Sequence, residues 1–192
     1  MDSPWVHEGR RSLDNRGFTR RLFTRELLSH LRTEEVYLLE SGNNKRGTLR
    51  GMHWQVSPGE RKLITVSKGA IFDALIDLRP ESKDFGKVFY SELNDANNLS
   101  LYVPEGFAHG YQTLLHDTRV MYAIDARHNP AQASGINPLS DALLAKWPIS
   151  DYVAIERDLE YQSLESFLES RSESSAKICF QDFSEVPIRT AP

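Results

Sequence analysis

The chain is poor in the features that would set it apart from an ordinary single-domain globular protein. It has one cysteine, Cys179, so no internal disulfide can form. A reducing compartment, the cytoplasm, is the expected setting, and nothing around Cys179 marks an activated thiolate. No apolar run approaches the roughly 18 residues of a membrane-spanning helix. The opening MDSPWVHEGRR lacks the apolar core of a secretory signal, so no membrane partner is expected. Basic residues are not in excess, since 23 Lys and Arg against 27 Asp and Glu leave a formal net charge of −4. With no long basic block, nucleic acid is not an expected partner either. The arginine-rich stretch RRSLDNRGFTRR is short and broken by Asp14; it suits a solvated edge or a local anion site equally. No internal repeat and no second domain are visible.

What is present suits one domain with a real core: 192 residues, 40% apolar and 26% charged. Short β-like runs dominate, among them EVYLLE, TLRGMHW, KLITVS, AIFDALIDL, KVFYSEL, LSLYVP, GYQTLL and RVMYAID. Turn signals such as SGNN, SPGE, PESKDFG and NDANN separate them. This pattern predicts an all-β-dominated sandwich or barrel of the jelly-roll kind. A helix is predicted over TRELLSHLR, residues 24–32, with Thr24 as its N-cap. Two more short helices are predicted in PLSDALLAKWP and QSLESFLES. The domain is expected to span residues 1–170. Residues 171–192, entered through the Ser-rich SRSESSAK, read as a tail, packed or loosely ordered.

Polar residues in the strands carry the functional signal. RGTLRGMHWQ, residues 46–55, puts Arg50, His53 and Gln55 into an apolar run. In a regular strand His53 and Gln55 share one face and Arg50 points the other way. A pocket holding both Arg50 and His53 therefore requires a one-residue slip between them, and Gly51 is the natural place for it. YVPEGFAHGYQTL presents His109 at the start of another strand, and Tyr122 lies inside RVMYAID. Lys62 and Asp73 also sit in apolar strands, where burial without a partner is costly. One polar cavity lined by His53, Lys62, Asp73, His109 and Tyr122 would resolve that cost for all of them. Histidine takes a proton at neutral pH, tyrosine returns one, and lysine stabilises an oxyanion. The set fits proton abstraction beside a carbonyl through an enolate. A catalytic metal is not expected, because the His-x-His pair of jelly-roll metal sites is here His53-Trp54-Gln55.

Taken in order, GTLRGMHWQ, KLITVSKGAIFDALIDLR, YVPEGFAHGYQTL, VMY and WP…ERD resemble the dTDP-4-dehydrorhamnose 3,5-epimerase family. The likeness runs from about residue 14 to residue 160. It implies a cupin-type β-sandwich with a few short helices, mostly C-terminal, no cofactor, and a homodimer that exchanges N-terminal strands. Its partner would be a nucleotide-diphosphate 4-keto sugar. The resemblance assigns His53 as general base with Asp158 as its carboxylate, Tyr122 as general acid and Lys62 as the enolate-stabilising group. It pairs His109 with Asp73 and gives Arg16 and Arg50 to substrate or phosphate. Gln55, Arg157 and His128 are further candidate substrate contacts.

Departures from the family pattern gather at recognition positions. Arg21 replaces a common Glu, Leu38–Glu40 aligns with a Gln-Asp-Asn run, His128 with a base-stacking Tyr, and Ala133 with a Glu. Every proton-transfer candidate is kept, so an altered carrier nucleotide or sugar is expected. Two other readings stay open: a cupin 3,4-ketoisomerase on a similar sugar nucleotide, and a non-catalytic sugar-nucleotide-binding cupin.

Overall fold

The structure is a computed structural model and describes residues 2–32, 34–144, 146–171 and 183–189. Cys179 and most of the expected tail lie outside the described residues. Strands β1 (Trp5–Glu8), β2 (Arg11–Asp14) and β3 (Gly17–Arg20) come first. Helix α1 (Arg25–Leu28) follows, capped as predicted by Thr24, whose side chain accepts from Leu27 N–H. Eight strands run on from there: β4 (Tyr37–Asn43), β5 (Leu49–Gln55), β6 (Lys62–Lys68), β7 (Ala70–Asp77), β8 (Val88–Asn94), β9 (Leu99–Val103), β10 (Phe107–Thr113) and β11 (Thr118–Ile124). Then come β12 (Ala133–Gly135), three short helices, α2 (Asp141–Leu144), α3 (Glu156–Leu159) and α4 (Leu164–Arg171), and the strands β13 (Phe183–Glu185) and β14 (Ile188–Arg189).

Two sheets make the sandwich. One runs β14-β1-β9-β6-β11-β4 and the other β12-β5-β10-β7-β8-β13, with β2 and β3 forming a separate hairpin. The C-terminal strands thus add an edge to each sheet, and Val186 between them is buried. Side-chain alternation sorts each strand into an inner and an outer face. On β6, Ile64 and Val66 join the inner core, while Leu63 packs outward under Leu27 and Leu31 near α1. On β7, Ile71 and Leu75 point inward, while Ala74 and Ile76 pack outward with Leu143, Leu164 and Phe167 of the C-terminal helices. Each sheet is therefore covered on its outer face by helix, and the sandwich interior is left to a single apolar cluster at one end.

The slip required at Gly51 is present. His53 stands opposite His109, and Arg50 stands opposite Tyr111, so β5 advances three residues where β10 advances two. Leu49 and Met52 consequently fall on the same outer face. The backbones of β5 and β10 touch here. A Cβ on Gly51, whose φ is +118°, would lie 2.4 Å from Gly110 Cα, and one on Gly110 would lie 2.7 Å from Arg50 O. Neither glycine has room for a side chain.

Candidate active site

At the other end of the sandwich, the inward positions are polar. They enclose a cavity of about 510 Å³ bordered by Arg50, His53, Lys62, His109, Tyr111 and Tyr122. β5 and β10 belong to one sheet, β6 and β11 to the other. His53 and Tyr122 therefore approach the same space from opposite walls.

His53 is held from outside the sheets. Residues 153–158 run along β5, anchored by Leu49 N–H donating to Val153 O at 2.8 Å. They end in α3, which delivers Asp158. The His53 Nε2–Asp158 Oδ1 distance is 2.8 Å, and Asp158 Oδ2 accepts from Gly51 N–H at 3.4 Å. With Nε2 turned to the carboxylate, Nδ1 is the nitrogen left to take a proton. Burial alone would raise the Asp158 carboxyl. The hydrogen bond and charge of His53, the Gly51 N–H and Arg157 outweigh it and hold Asp158 below its ordinary value. Tyr161 packs edge-on to the imidazole at 6.1 Å between ring centroids.

The second histidine is more enclosed. His109 Nε2 lies 2.8 Å from Asp73 Oδ2, with both residues buried, while Asp73 Oδ1 has no partner among the described residues. Burial drives the Asp73 carboxyl above its ordinary value, against the pull of His109 and Lys62. Lys62 opens β6, and its ammonium lies 2.8 Å from Glu60 Oε1. Tyr122 sits edge-on to His109, with 6.2 Å between ring centroids. Burial pushes its phenol well above the ordinary value, with Tyr111 and Asp73 adding to the rise and Arg50 opposing it. At neutral pH Tyr122 is thus a protonated donor. Arg50 borders the cavity and donates from Nε to Asn43 Oδ1 at 2.8 Å. Arg157 also borders it and reaches Asp158 Oδ1 at 3.4 Å.

Three residues expected at the site are not among those lining this chain's cavity. Gln55 is buried and spends its amide on backbone, donating to Pro58 O at 2.9 Å and Arg127 O at 3.3 Å and accepting from Asn129 N–H at 2.8 Å. It keeps the face of His53 but lies beyond the end of the cavity, where it braces the 127–129 loop. His128 rides on that loop, exposed. Arg16 is exposed on the β2–β3 hairpin and, among the described residues, pairs with Asp14, 2.7 Å away. In the other direction, Glu60, Asn43, Tyr111 and Tyr161 join the site without having been expected there. Of these only Tyr111 carried a signal, its place two residues after His109. Among the described residues no three His, Cys, Asp or Glu side chains are grouped as metal ligands.

A sequence profile of the dTDP-4-dehydrorhamnose 3,5-epimerase family matches residues 1–166. The chain belongs to that family. The family's enzymes are epimerases, a branch of the isomerases, and its cupin-type sandwich is the fold described above. A relative of that name from Sinorhizobium fredii is 37% identical over 127 residues, a match spanning 65% of this chain and 65% of the relative's length. The solved dTDP-4-dehydrorhamnose 3,5-epimerase of Bacillus anthracis, with TDP and PPi bound, superposes with a TM-score of 0.75. Its identity is 33%, over 81% of this chain and 91% of that one. The Legionella pneumophila dTDP-6-deoxy-D-glucose-3,5-epimerase, in complex with dTDP-4-keto-L-rhamnose, gives a TM-score of 0.74. Its identity is 26%, over 85% of this chain and 89% of that one.

Proposed function

We propose that the chain inverts C3, C5 or both of a nucleotide-linked 4-keto-6-deoxy sugar, working as a homodimer in the cytoplasm. The observation that carries this reading is one cavity with a base on one sheet and an acid on the other: His53, backed by Asp158, and Tyr122. The 4-keto group acidifies the neighbouring C–H. Nδ1 of His53 takes that proton, and Asp158 holds the resulting imidazolium. Lys62 faces the developing enolate oxygen with a charge that Glu60 keeps in place. Tyr122 then protonates the carbon from the opposite face, which inverts it. Each positioned acid or base supplies roughly 10²–10⁴-fold. Arg50 and Arg157 offer guanidinium donors to a diphosphate.

Support for the substrate class comes from the relatives with bound TDP and dTDP-sugar. Support for the dimer comes from the hairpin. Leu13 and Phe18 are exposed there beside Arg16, which reaches nothing in its own chain's cavity and so suits a neighbour's. The altered recognition positions leave the carrier base open among dTDP, CDP, GDP and UDP.

Proton NMR in D₂O tests the reading. The protein is mixed with each nucleotide form of 4-keto-6-deoxyglucose, and the H3 and H5 signals are followed, with His53→Ala as control. Loss of both signals on one carrier names the nucleotide and a 3,5-epimerase; loss of one makes it a mono-epimerase. A carbonyl that moves to C3 instead would sink the epimerase reading in favour of a ketoisomerase.

A further inference from the structure

The groups that hold the base come from one short stretch of chain. α3 delivers Asp158 to His53 Nε2. Shortly after it, Tyr161 packs edge-on to the same imidazole, with 6.1 Å between ring centroids and 72° between ring planes. Asn137 brackets that tyrosine. Its N–H donates to Gln162 O at 2.9 Å and its Nδ2 to Leu159 O at 2.8 Å. The strand leading into Asn137, β12, is in turn tied to β5. Gly135 stands directly opposite His53, and Ile136 and Met52 exchange backbone hydrogen bonds of 3.0 and 3.1 Å.

Gly135 shows how closely the ring is seated. A Cβ there would lie 2.2 Å from Tyr161 Cε2, 2.3 Å from Cδ2 and 2.6 Å from Cζ. The φ of Gly135 is not positive, so its backbone does not itself require glycine. What the missing side chain provides is room for the tyrosine ring.

The base needs such a support. Its hydrogen bond to Asp158 fixes one ring nitrogen and leaves the imidazole free to swing about that point. The His53 side chain is 35% exposed, so the sheet does not enclose it. Proton abstraction from carbon depends on aim, and a misplacement of about 1 Å can cost roughly 10²-fold in rate. A second contact on the ring, away from Nε2, fixes its plane.

We propose that Tyr161 is a positioning residue for the base: its ring, seated against Gly135, fixes the plane of the His53 imidazole so that Nδ1 faces the substrate carbon. The proposal rests on the assignment of His53 as the base. Tyr161 is not among the residues lining the cavity; it acts through His53.

The test uses the sugar nucleotide whose H3 or H5 wild type exchanges. It compares Tyr161→Ala, Tyr161→Phe, Gly135→Ala, the Gly135→Ala/Tyr161→Ala double variant and His53→Ala. Tyr161→Ala is expected to lower kcat by roughly 10–10²-fold, the scale of a base mis-aimed by about 1 Å. Its KM should stay within about twofold of wild type, because no substrate contact is lost. Gly135→Ala should repeat that pattern, since a methyl there displaces the ring, and it carries the test if Tyr161→Ala folds poorly. Tyr161→Phe should bring kcat back to within about threefold of wild type, since the ring makes the contact. The double variant should be no slower than Tyr161→Ala alone, because both changes remove one interaction. A kcat for Tyr161→Ala within about twofold of wild type would defeat the proposal. A KM that rises at constant kcat would also defeat it and make Tyr161 a substrate contact. Tyr161→Phe as slow as Tyr161→Ala would assign the effect to the hydroxyl and overturn the role of the ring. Losses that multiply in the double variant would show Gly135 acting apart from Tyr161, and the seat would be wrong. Full exchange by His53→Ala would overturn the base assignment itself, a failure distinct from these.

Discussion

The two histidine–carboxylate pairs of the cavity share one geometry, an Nε2–Oδ separation of 2.8 Å in each, and differ in everything around it. His53 is 35% exposed in its side chain, whereas His109 is 6% exposed. Asp158 is satisfied twice over, by His53 and by the Gly51 N–H, and its carboxyl is held down. Asp73 has one oxygen with no partner among the described residues, and burial drives its carboxyl up. The same contact thus builds an ion-pair-ready base in one place and a costly, enclosed polar group in the other. Distance alone does not assign a role. Solvation and the remaining partners distinguish them: under the proposed function His53–Asp158 is the pair that cycles a proton, and His109–Asp73 is a buried pair on the cavity wall.

Breaking the first pair should have the largest effect. His53→Ala is expected to lower kcat by roughly 10⁴-fold, the top of the range for one acid–base group. Its unfolding free energy should move by only about 1 kcal/mol, because the side chain is 35% exposed. Asp158→Asn is expected to cost roughly 10²-fold in kcat, since the imidazole stays but its imidazolium loses its counter-charge. The sign of its pH effect follows from the lowered carboxyl. A folded-state pKa below the unfolded one stabilises the protein above the ordinary carboxylate range. That contribution is lost as pH falls through the folded value. Urea unfolding from pH 7 downward should therefore show a flatter acid limb in Asp158→Asn than in wild type.

Asp73→Asn sharpens the contrast with a smaller change in activity and the opposite trend in stability. Its carboxyl is raised in the folded state, so whatever stability it contributes is present below the ordinary carboxylate range and is lost as pH rises through the folded value. The asparagine does not ionise. Thermal unfolding across pH should show Asp73→Asn gaining on wild type through that window and remaining the more stable protein at pH 7. Activity is expected to drop roughly tenfold, less than for a group that moves the proton itself. A variant that is less stable than wild type at pH 7 would mean that the pairing with His109 outweighs the cost of burial.

How much of this was legible in the sequence depends on how far each contact reaches along the chain. The strands β4 to β11 were legible because apolar runs and turn residues alternate locally. The slip at Gly51 was legible because two polar residues three apart had to share one face. β1, β2 and β3 were not, since WVHE, RSLD and GFTR carry too little apolar pattern to stand out. α3 is four residues long and has no side-chain cap to announce it. The contact between Ser41 and Tyr111 was invisible for another reason: the two lie 70 positions apart, and no local pattern reports a contact made across two sheets. Gln55 misled because strand alternation continues correctly past His53, while the cavity ends there.

Gln55 gives the smallest expected effect on the chemistry and the clearest check on where the cavity stops. Its amide makes three hydrogen bonds to backbone at Pro58, Arg127 and Asn129, all away from the cavity. Truncation leaves buried backbone groups unpaired, a loss of about 1–3 kcal/mol. Gln55→Ala should therefore lower the unfolding midpoint while leaving kcat within about twofold of wild type, since no proton-transfer group is touched. KM is the more sensitive readout, because the loosened loop carries His128. A KM that rises with kcat unchanged would tie that loop to substrate binding. If kcat fell as far as in Asp158→Asn, the amide would have to reach the reacting sugar, and the cavity wall would extend one step further along β5 than its lining residues indicate.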